Sequence, residues 1–275
     1  MPLITLLILA VVQGLTEFLP ISSSGHLNVL YSLFGIEDNT LLLTIIFHLA
    51  TLLSIVIYYR KDLLLLISHP FCKTNKKIVV TTLSTAIVVL LFKKIIDKFW
   101  STQYLFIFFI ITTFLLFLND FLSERHYFMS RTHERQSTSK QVVYPNILDM
   151  NVSYKDAIII GLTQGLAVIP GLSRSGTTIA TAGILGVKDD KTKYSFLISI
   201  PIIILSLVYS LMSGESLGSI NIWALIISFV VCFFVGLLSI KLVSLLSKKN
   251  TLSYFGYYLL ALATLLVILG YFGLI

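Results

Sequence analysis

The chain has 275 residues, 56% of them hydrophobic and only 12% charged. Soluble domains run about 25% charged, so this composition excludes a soluble globular enzyme, a disordered chain and a nucleic-acid binder. The net charge of +7 does not change that, because the basic residues sit in short loops between apolar runs.

The first region, residues 2–35, is apolar but interrupted by Gln13, Glu17, Pro20, the Ser22-Ser23-Ser24 run, Gly25 and His26. Clean apolar runs long enough to span a bilayer follow at 41–59, 77–96 and 103–119. The stretch 124–153 is polar and is expected to be the longest soluble loop. A second interrupted region, 154–187, carries Gln164, Pro170, Gly171, Ser173, Arg174, Ser175 and Gly176. Apolar runs return at 195–212, 221–247 and 253–275. Each interrupted region reads as two short helices around a proline-containing break. Such a break is tolerated at membrane depth only where it is buried in protein or lines a wet cavity. Both regions are therefore expected to be re-entrant helix–loop–helix hairpins. Cys72 and Cys232 form no zinc spacing and no disulfide framework. The N-terminus lacks signal-peptide features and is read as part of the fold.

The two interrupted regions are related by a constant offset of 151. It places Gln13 on Gln164, Gly14 on Gly165, Leu15 on Leu166, Ser22 on Ser173, Ser24 on Ser175, Gly25 on Gly176 and Gly35 on Gly186. The same offset carries 41–59, 77–96 and 103–123 onto 192–210, 228–247 and 254–274. This layout predicts an all-α polytopic membrane protein with six transmembrane helices and two hairpins. The first repeat is 1–123, the loop 124–153 and the second repeat 154–275. Three crossings per repeat is an odd number, so the second repeat starts on the opposite face. That is an inverted-topology repeat, whose interrupted segments point at the site near the midplane.

Sixteen Lys and Arg residues fall in loops on one predicted side, including Arg60, Lys73, Lys77, Arg135, Lys140, Lys188, Lys248 and Lys249; three, Lys93, Lys94 and Lys98, fall on the other. The positive-inside rule then puts the 124–153 loop in the cytoplasm and both termini outside.

Glu17 and Arg174 lie away from the loops. A charge at the bilayer centre costs at least ~2.5–3.5 kcal/mol, which marks both for function and for each other. Gln13 and Glu17 share a helix face at i, i+4. Ser22-Ser23-Ser24-Gly25-His26 and Ser173-Arg174-Ser175-Gly176-Thr177-Thr178 each follow a break and open a helix. Helix N-termini favour phosphate. With an arginine fork and several hydroxyls, they suit a multiply charged phosphoester. Part of each serine run is expected to serve only as N-caps. His26 is one turn beyond Ser23, while His48 lies in a plain apolar span and is read as packing.

Residues 13–26, Gln-Gly-Leu-Thr-Glu-Phe-Leu-Pro-Ile-Ser-Ser-Ser-Gly-His, and 170–178, Pro-Gly-Leu-Ser-Arg-Ser-Gly-Thr-Thr, resemble the two signature motifs of bacterial undecaprenyl-diphosphate phosphatases, the bacitracin-resistance family. The resemblance extends to chain length and segment layout. It implies hydrolysis of undecaprenyl diphosphate to undecaprenyl phosphate and inorganic phosphate, which recycles the lipid carrier of peptidoglycan synthesis in the bacterial cell membrane. It also implies a divalent cation, Mg²⁺ or Ca²⁺. The family's first motif begins with Glu or Gln four residues before an essential Glu; here Gln13 holds that place, so Glu17 carries more of any metal site. Carried over, the resemblance implies functional roles for Glu17, Ser23, His26, Ser173, Arg174 and Thr178.

The expected mechanism makes Ser23 the nucleophile, with His26 or Glu17 as base and Arg174 as the charge clamp. Attack by water or by His26 itself stays open. Ser22, Ser24, Ser173, Arg174, Ser175, Thr177 and Thr178 are the expected phosphate-binding residues. The expected partners are the polyprenyl diphosphate and membrane lipids, with no nucleic acid; a homodimer is left open. The rival reading is a transporter or flippase for a polyprenyl phosphate, since inverted repeats and broken helices are common among transporters.

Overall fold

The computed structural model describes residues 1–36, 40–99, 102–134, 147–187, 190–212, 221–247 and 251–272, without the side chains of 41, 97 and 124–134. Every regular element within them is helical. In chain order these are α1 (Leu3–Thr16), α2 (Ser23–Phe34), α3 (Thr40–Tyr58), α4 (Arg60–Ser68), α5 (Lys73–Lys98) and α6 (Leu105–Glu134), then α7 (Tyr154–Leu166), α8 (Arg174–Ile184), α9 (Lys191–Met212), α10 (Ile222–Ser247) and α11 (Ser253–Tyr271). Five of these, α5, α6, α9, α10 and α11, are long and apolar enough to cross a membrane; α3 and α4, bent by 78° at their junction, make a sixth if counted as one span. The chain is a multi-pass membrane protein.

Both interrupted regions fold as pairs of short helices. The break between α1 and α2 covers 17–22, and that between α7 and α8 covers 167–173. Ser22 closes the first break as the N-cap of α2, its Oγ accepting the Gly25 amide at 3.3 Å. Ser173 does the same for α8, accepting the Gly176 amide at 3.1 Å. These caps satisfy donors that a helix start leaves without intrahelical partners. The turn before α8 needs a positive φ, supplied by Gly171 at +90°.

Two departures from the sequence reading concern helix ends. The loop expected to begin at 124 begins later, because α6 continues through Glu134. Residues 124–134 are polar but contain neither Gly nor Pro, so their polarity marks departure from the apolar run rather than the end of the helix. Residues 135–146 of that loop lie outside the described residues, as do Lys188, Lys248, Lys249 and residues 273–275. The segment between the runs 41–59 and 77–96 holds the helix α4 in addition to a connection. It is held to the loop before α7 through α5: Lys73 and Lys77 donate to the Asp149 carboxylate at 2.7 and 3.2 Å.

Some of the closest packing pairs are related by the offset of 151. α1 lies along α10 and α7 along α5, while α6 lies along α11. Small residues let these backbones approach, as is common between membrane helices. A Cβ on Gly14 would come within 2.7 Å of the Cys232 carbonyl, and one on Gly165 within 2.6 Å of Val88. The breaks are thereby pressed into the interior, where Phe18 packs edge-on against Phe196 of α9 with ring centroids 5.3 Å apart.

Candidate active site

The site is built around one buried carboxylate. Glu17 sits at the C-terminal end of α1, with its side chain 2% exposed. Gln13, one turn earlier, donates its Nε2 to Glu17 Oε2 at 3.0 Å. Ser23, in the first turn of α2, donates its hydroxyl to the same oxygen at 2.6 Å. The other oxygen, Oε1, is paired with the guanidinium of Arg174, from the first turn of α8. His48 of α3 puts its Nε2 3.7 Å from Oε2. Four helices thus converge on one acid, which compensates the cost of burying its charge.

The serine runs behave as two matched sets. Ser22 Oγ lies 3.4 Å from Ser24 Oγ, and Ser173 Oγ lies 3.3 Å from Ser175 Oγ. Ser175 crosses between the tips, donating to the Leu19 carbonyl at 3.0 Å. Thr178 bonds the Arg174 carbonyl at 2.9 Å and the Ser195 hydroxyl at 2.5 Å. The Thr177 hydroxyl is buried without a hydrogen-bond partner. A small pocket opens at this junction, lined by Glu17, Phe18, Arg174, Ser175, Ser195, Phe196 and Ser199.

His26 is placed differently from the sequence expectation. It is one turn beyond Ser23, but its ring does not turn back toward that hydroxyl. Its Nδ1 meets the Ser22 carbonyl at 2.7 Å, and its Nε2 meets the Tyr258 hydroxyl of α11 at 2.8 Å. The acceptor on Ser23's proton is Glu17. Sequence reasoning also missed His48, Ser195 and Ser199. The argument that marked Glu17 and Arg174, an ionisable group inside a membrane segment, applies equally to His48 in α3. The two serines of α9 carry no such signal, since hydroxyls bonded to their own helix are ordinary in apolar spans.

Among the described residues no three His, Cys, Asp or Glu side chains gather to hold a metal ion. Glu17 is the one carboxylate of the tip, and both its oxygens already have partners. Gln13 Oε1 is buried without a hydrogen bond, but so is Gln164 Oε1, whose amide bonds Thr85 rather than a carboxylate. That orphaned oxygen therefore belongs to the shared architecture. Hard cations often combine one or two carboxylates with substrate phosphates. The residues present fit a cation that arrives on a diphosphate and shares Glu17, not one caged by the chain alone.

Residues 6–265 match the family model described as bacitracin resistance protein BacA. The chain is 35% identical over 269 residues to an undecaprenyl-diphosphatase of Carboxydothermus hydrogenoformans, covering 96% of this chain and 95% of the relative. It is 33% identical to an undecaprenyl-diphosphatase of Christiangramia forsetii, with 96% and 97% covered. It is also 35% identical to undecaprenyl-diphosphatase 1 of Shouchella clausii, with 98% and 96% covered. With the match running through both serine-rich tips and nearly all of the helices around them, the chain belongs to the bacitracin resistance protein BacA family.

Proposed function

We propose that this chain is an integral membrane phosphatase that hydrolyses undecaprenyl diphosphate to undecaprenyl phosphate and inorganic phosphate. On this reading it recycles the lipid carrier of peptidoglycan synthesis and confers bacitracin resistance. The observation that carries the reading is the pair of contacts on Glu17, a serine hydroxyl on one oxygen and an arginine on the other. The names of the relatives support the substrate.

The chemistry follows from that geometry. Arg174 exchanges its partner Glu17 for the phosphate oxygens, where its planar fork is suited to bidentate binding. Glu17, released from the guanidinium, becomes a stronger base. It takes the proton of Ser23 while Ser23 Oγ attacks the terminal phosphorus. The bond from that phosphorus to the bridging oxygen breaks, and undecaprenyl phosphate leaves. Water then attacks the phosphoserine and the bond from phosphorus to Ser23 Oγ breaks; Glu17 returns the proton it took to Ser23 Oγ, one proton of the water passes to a phosphate oxygen, and inorganic phosphate departs. Ser24, Ser175 and the first amides of α2 and α8 hold the remaining oxygens. Ser22, Ser173 and Thr178 support these groups from behind, and Thr177 offers an uncommitted hydroxyl. A Mg²⁺ or Ca²⁺ brought by the diphosphate would be held at Glu17, with Gln13 beside it, and would supply neutralising charge. Most of the rate comes from such positioning and charge stabilisation.

The same proposal includes the topology. The two helix pairs are re-entrant hairpins of an inverted repeat, the tips meet near the midplane, and both termini lie outside the cell. The exchange of α1–α10 for α7–α5 under one offset supports the repeat. A polyprenyl-phosphate transporter has no need of a hydroxyl bonded to a buried carboxylate. Release of inorganic phosphate from undecaprenyl diphosphate by the purified protein in detergent is the test. Hydrolysis needs no second compartment, whereas transport does; absence of phosphate release with a folded protein would overturn the phosphatase reading.

A further inference from the structure

The pocket at the Glu17–Arg174 junction is about the size of a single water molecule. Helix α9 makes one wall of it. Ser195 and Ser199 stand one turn apart on one face of that helix and are 3% and 5% exposed, with Phe196 beside them packed edge-on against Phe18. Neither Ser23 nor any other residue of α2 lines the pocket. It therefore lies on the Arg174 side of the carboxylate, away from the Ser23 hydroxyl.

The direction of the hydrogen bonds decides what this pocket suits. The Arg174 carbonyl can only accept, so the one proton of Thr178 goes there, and Ser195 donates to Thr178. Ser199 donates to the Phe196 carbonyl of its own helix at 2.7 Å. Both serines of α9 thus spend their protons on the protein and have only lone pairs left to offer. Glu17 also accepts, which leaves Arg174 as the donor among these four side chains. Three acceptors and one cation fit poorly around a phosphate group, whose oxygens need donors. They fit a water molecule, which donates two hydrogen bonds and accepts from the cation.

A second observation singles out Ser199. Under the offset of 151 it takes the place of His48, and α3 packs against α9. His48 comes within 3.7 Å of Glu17 Oε2, the oxygen that accepts from Ser23. Matching positions of two helices therefore flank the one carboxylate, with a ring nitrogen on the Ser23 side and a hydroxyl at the pocket.

We infer that this pocket seats the water that hydrolyses the phosphoserine, with Ser199 and Ser195 as positioning residues that accept its hydrogen bonds. The inference deepens the proposed phosphatase reading and rests on it. Attacking and leaving oxygens lie roughly in line in phosphoryl transfer, so the second step needs an oxygen on the side of phosphorus opposite Ser23 Oγ. A pocket lined by α8 and α9 but not by α2 meets that need. Water held there attacks once undecaprenyl phosphate has left. The bond from phosphorus to Ser23 Oγ breaks, Glu17 returns its proton to Ser23, and one proton of the water passes to a phosphate oxygen.

Competition between water and methanol in the purified protein tests the seat. Ser199→Ala removes one oxygen and makes room for methanol, so the ratio of methyl phosphate to inorganic phosphate formed in dilute methanol should rise. In single turnover, release of inorganic phosphate should slow by about 2- to 12-fold, the worth of one hydrogen bond, while undecaprenyl phosphate appears at the wild-type rate. The Phe196 carbonyl keeps its main-chain donor four residues on, so the unfolding temperature should not move. Ser199→Val fills the pocket with methyl groups; it should slow phosphate release further and suppress methyl phosphate. Ser206→Ala is the control. Ser206 makes the same kind of bond, to the Ile203 carbonyl at 2.9 Å, but does not line the pocket, and its loss should change neither reading. An unchanged product ratio in Ser199→Ala, or equal slowing of both products, would overturn the water seat while wild-type phosphate release upholds the phosphatase reading. Absence of phosphate release by the wild type would overturn that reading and the seat with it.

Discussion

Ser23 and Arg174 occupy matching positions of the two related segments, 151 residues apart, and they meet on opposite oxygens of Glu17. The residues beside them are matched in kind: Ser22 with Ser173 as caps, Ser24 with Ser175 as their neighbours. At the one position where the two serine runs differ, one segment supplies a hydroxyl and the other a positive charge. That asymmetry predicts distinct losses. Ser23→Ala should lower turnover by about 10³ or more, beyond the 10²–10³ typical of one lost preorganised donor, which is the loss expected for Ser24→Ala. Ser22→Ala should act chiefly on stability, by about 1 kcal/mol, because it removes an N-cap. A phosphoserine at Ser23 should be trapped with labelled substrate. Equal losses at all three serines would point to attack by water.

Arg174 and Glu17 are each other's principal charge partner, and Glu17 is almost wholly buried. Arg174→Lys keeps the charge but not the fork, so it should leave the protein folded and lower kcat sharply. Arg174→Ala should be worse for stability, by about 3–5 kcal/mol, because it strands a buried carboxylate. Glu17→Gln removes that charge, and it should purify well yet lose turnover and its dependence on added cation. Steady-state kinetics with thermal unfolding of each variant separates these effects. Near-normal turnover by Glu17→Gln would show that the carboxylate is structural.

His48 should count among the groups that hold Glu17. Replacing it with leucine removes the ring nitrogen 3.7 Å from Oε2 while keeping an apolar surface. Turnover should fall by about tenfold, in keeping with one hydrogen-bond-scale interaction lost near a charge, with little change in unfolding temperature. An unchanged rate would return His48 to a packing role.

Much of this site is legible in the sequence because its rules are local. A charge inside an apolar segment, a serine after a proline break and an i, i+4 pair each signal themselves, and Gln13, Glu17, Ser22, Ser173 and Arg174 fall where those rules put them. The offset of 151 relates the α1–α10 contact to the α7–α5 contact, but it does not say in advance which helices pack. What escapes is decided by rotamers and by distant partners. One-turn spacing brings His26 near Ser23 in sequence, but its ring turns to Tyr258, which is 232 residues away. His48, Ser195 and Ser199 reach the site only through the way α3 and α9 pack. The length of α6 escapes for another reason: polar residues form helices as readily as apolar ones, so polarity alone does not place a helix end.

The packing of the short helices makes its own prediction. Gly14→Ala presses a methyl group against the Cys232 carbonyl, and Gly165→Ala presses one against Val88. Overpacking of this kind costs about 1–3 kcal/mol. Both variants should unfold at lower temperature by similar amounts, as matched sites should. Gly270→Ala, with nothing within 4 Å of the added carbon, should be neutral. A large loss at one site only would break the correspondence between the α1–α10 and α7–α5 contacts.

The orientation in the membrane is open to a chemical test with the two native cysteines. On the proposed topology, the excess of lysine and arginine on one set of loops places the α4–α5 connection in the cytoplasm. Cys72 lies in that connection and is partly exposed, whereas Cys232 is buried in α10. An impermeant thiol reagent applied to intact cells should therefore label neither residue. After the cells are opened it should label Cys72 alone. Cys72→Ser should abolish the signal, which identifies its source and leaves Cys232 as an internal blank. Labelling of Cys72 in intact cells would invert the orientation, placing both termini in the cytoplasm with the α4–α5 connection outside. The contacts around Glu17 would be unaffected by that inversion, but the tips would then have to be reached from the other side of the membrane.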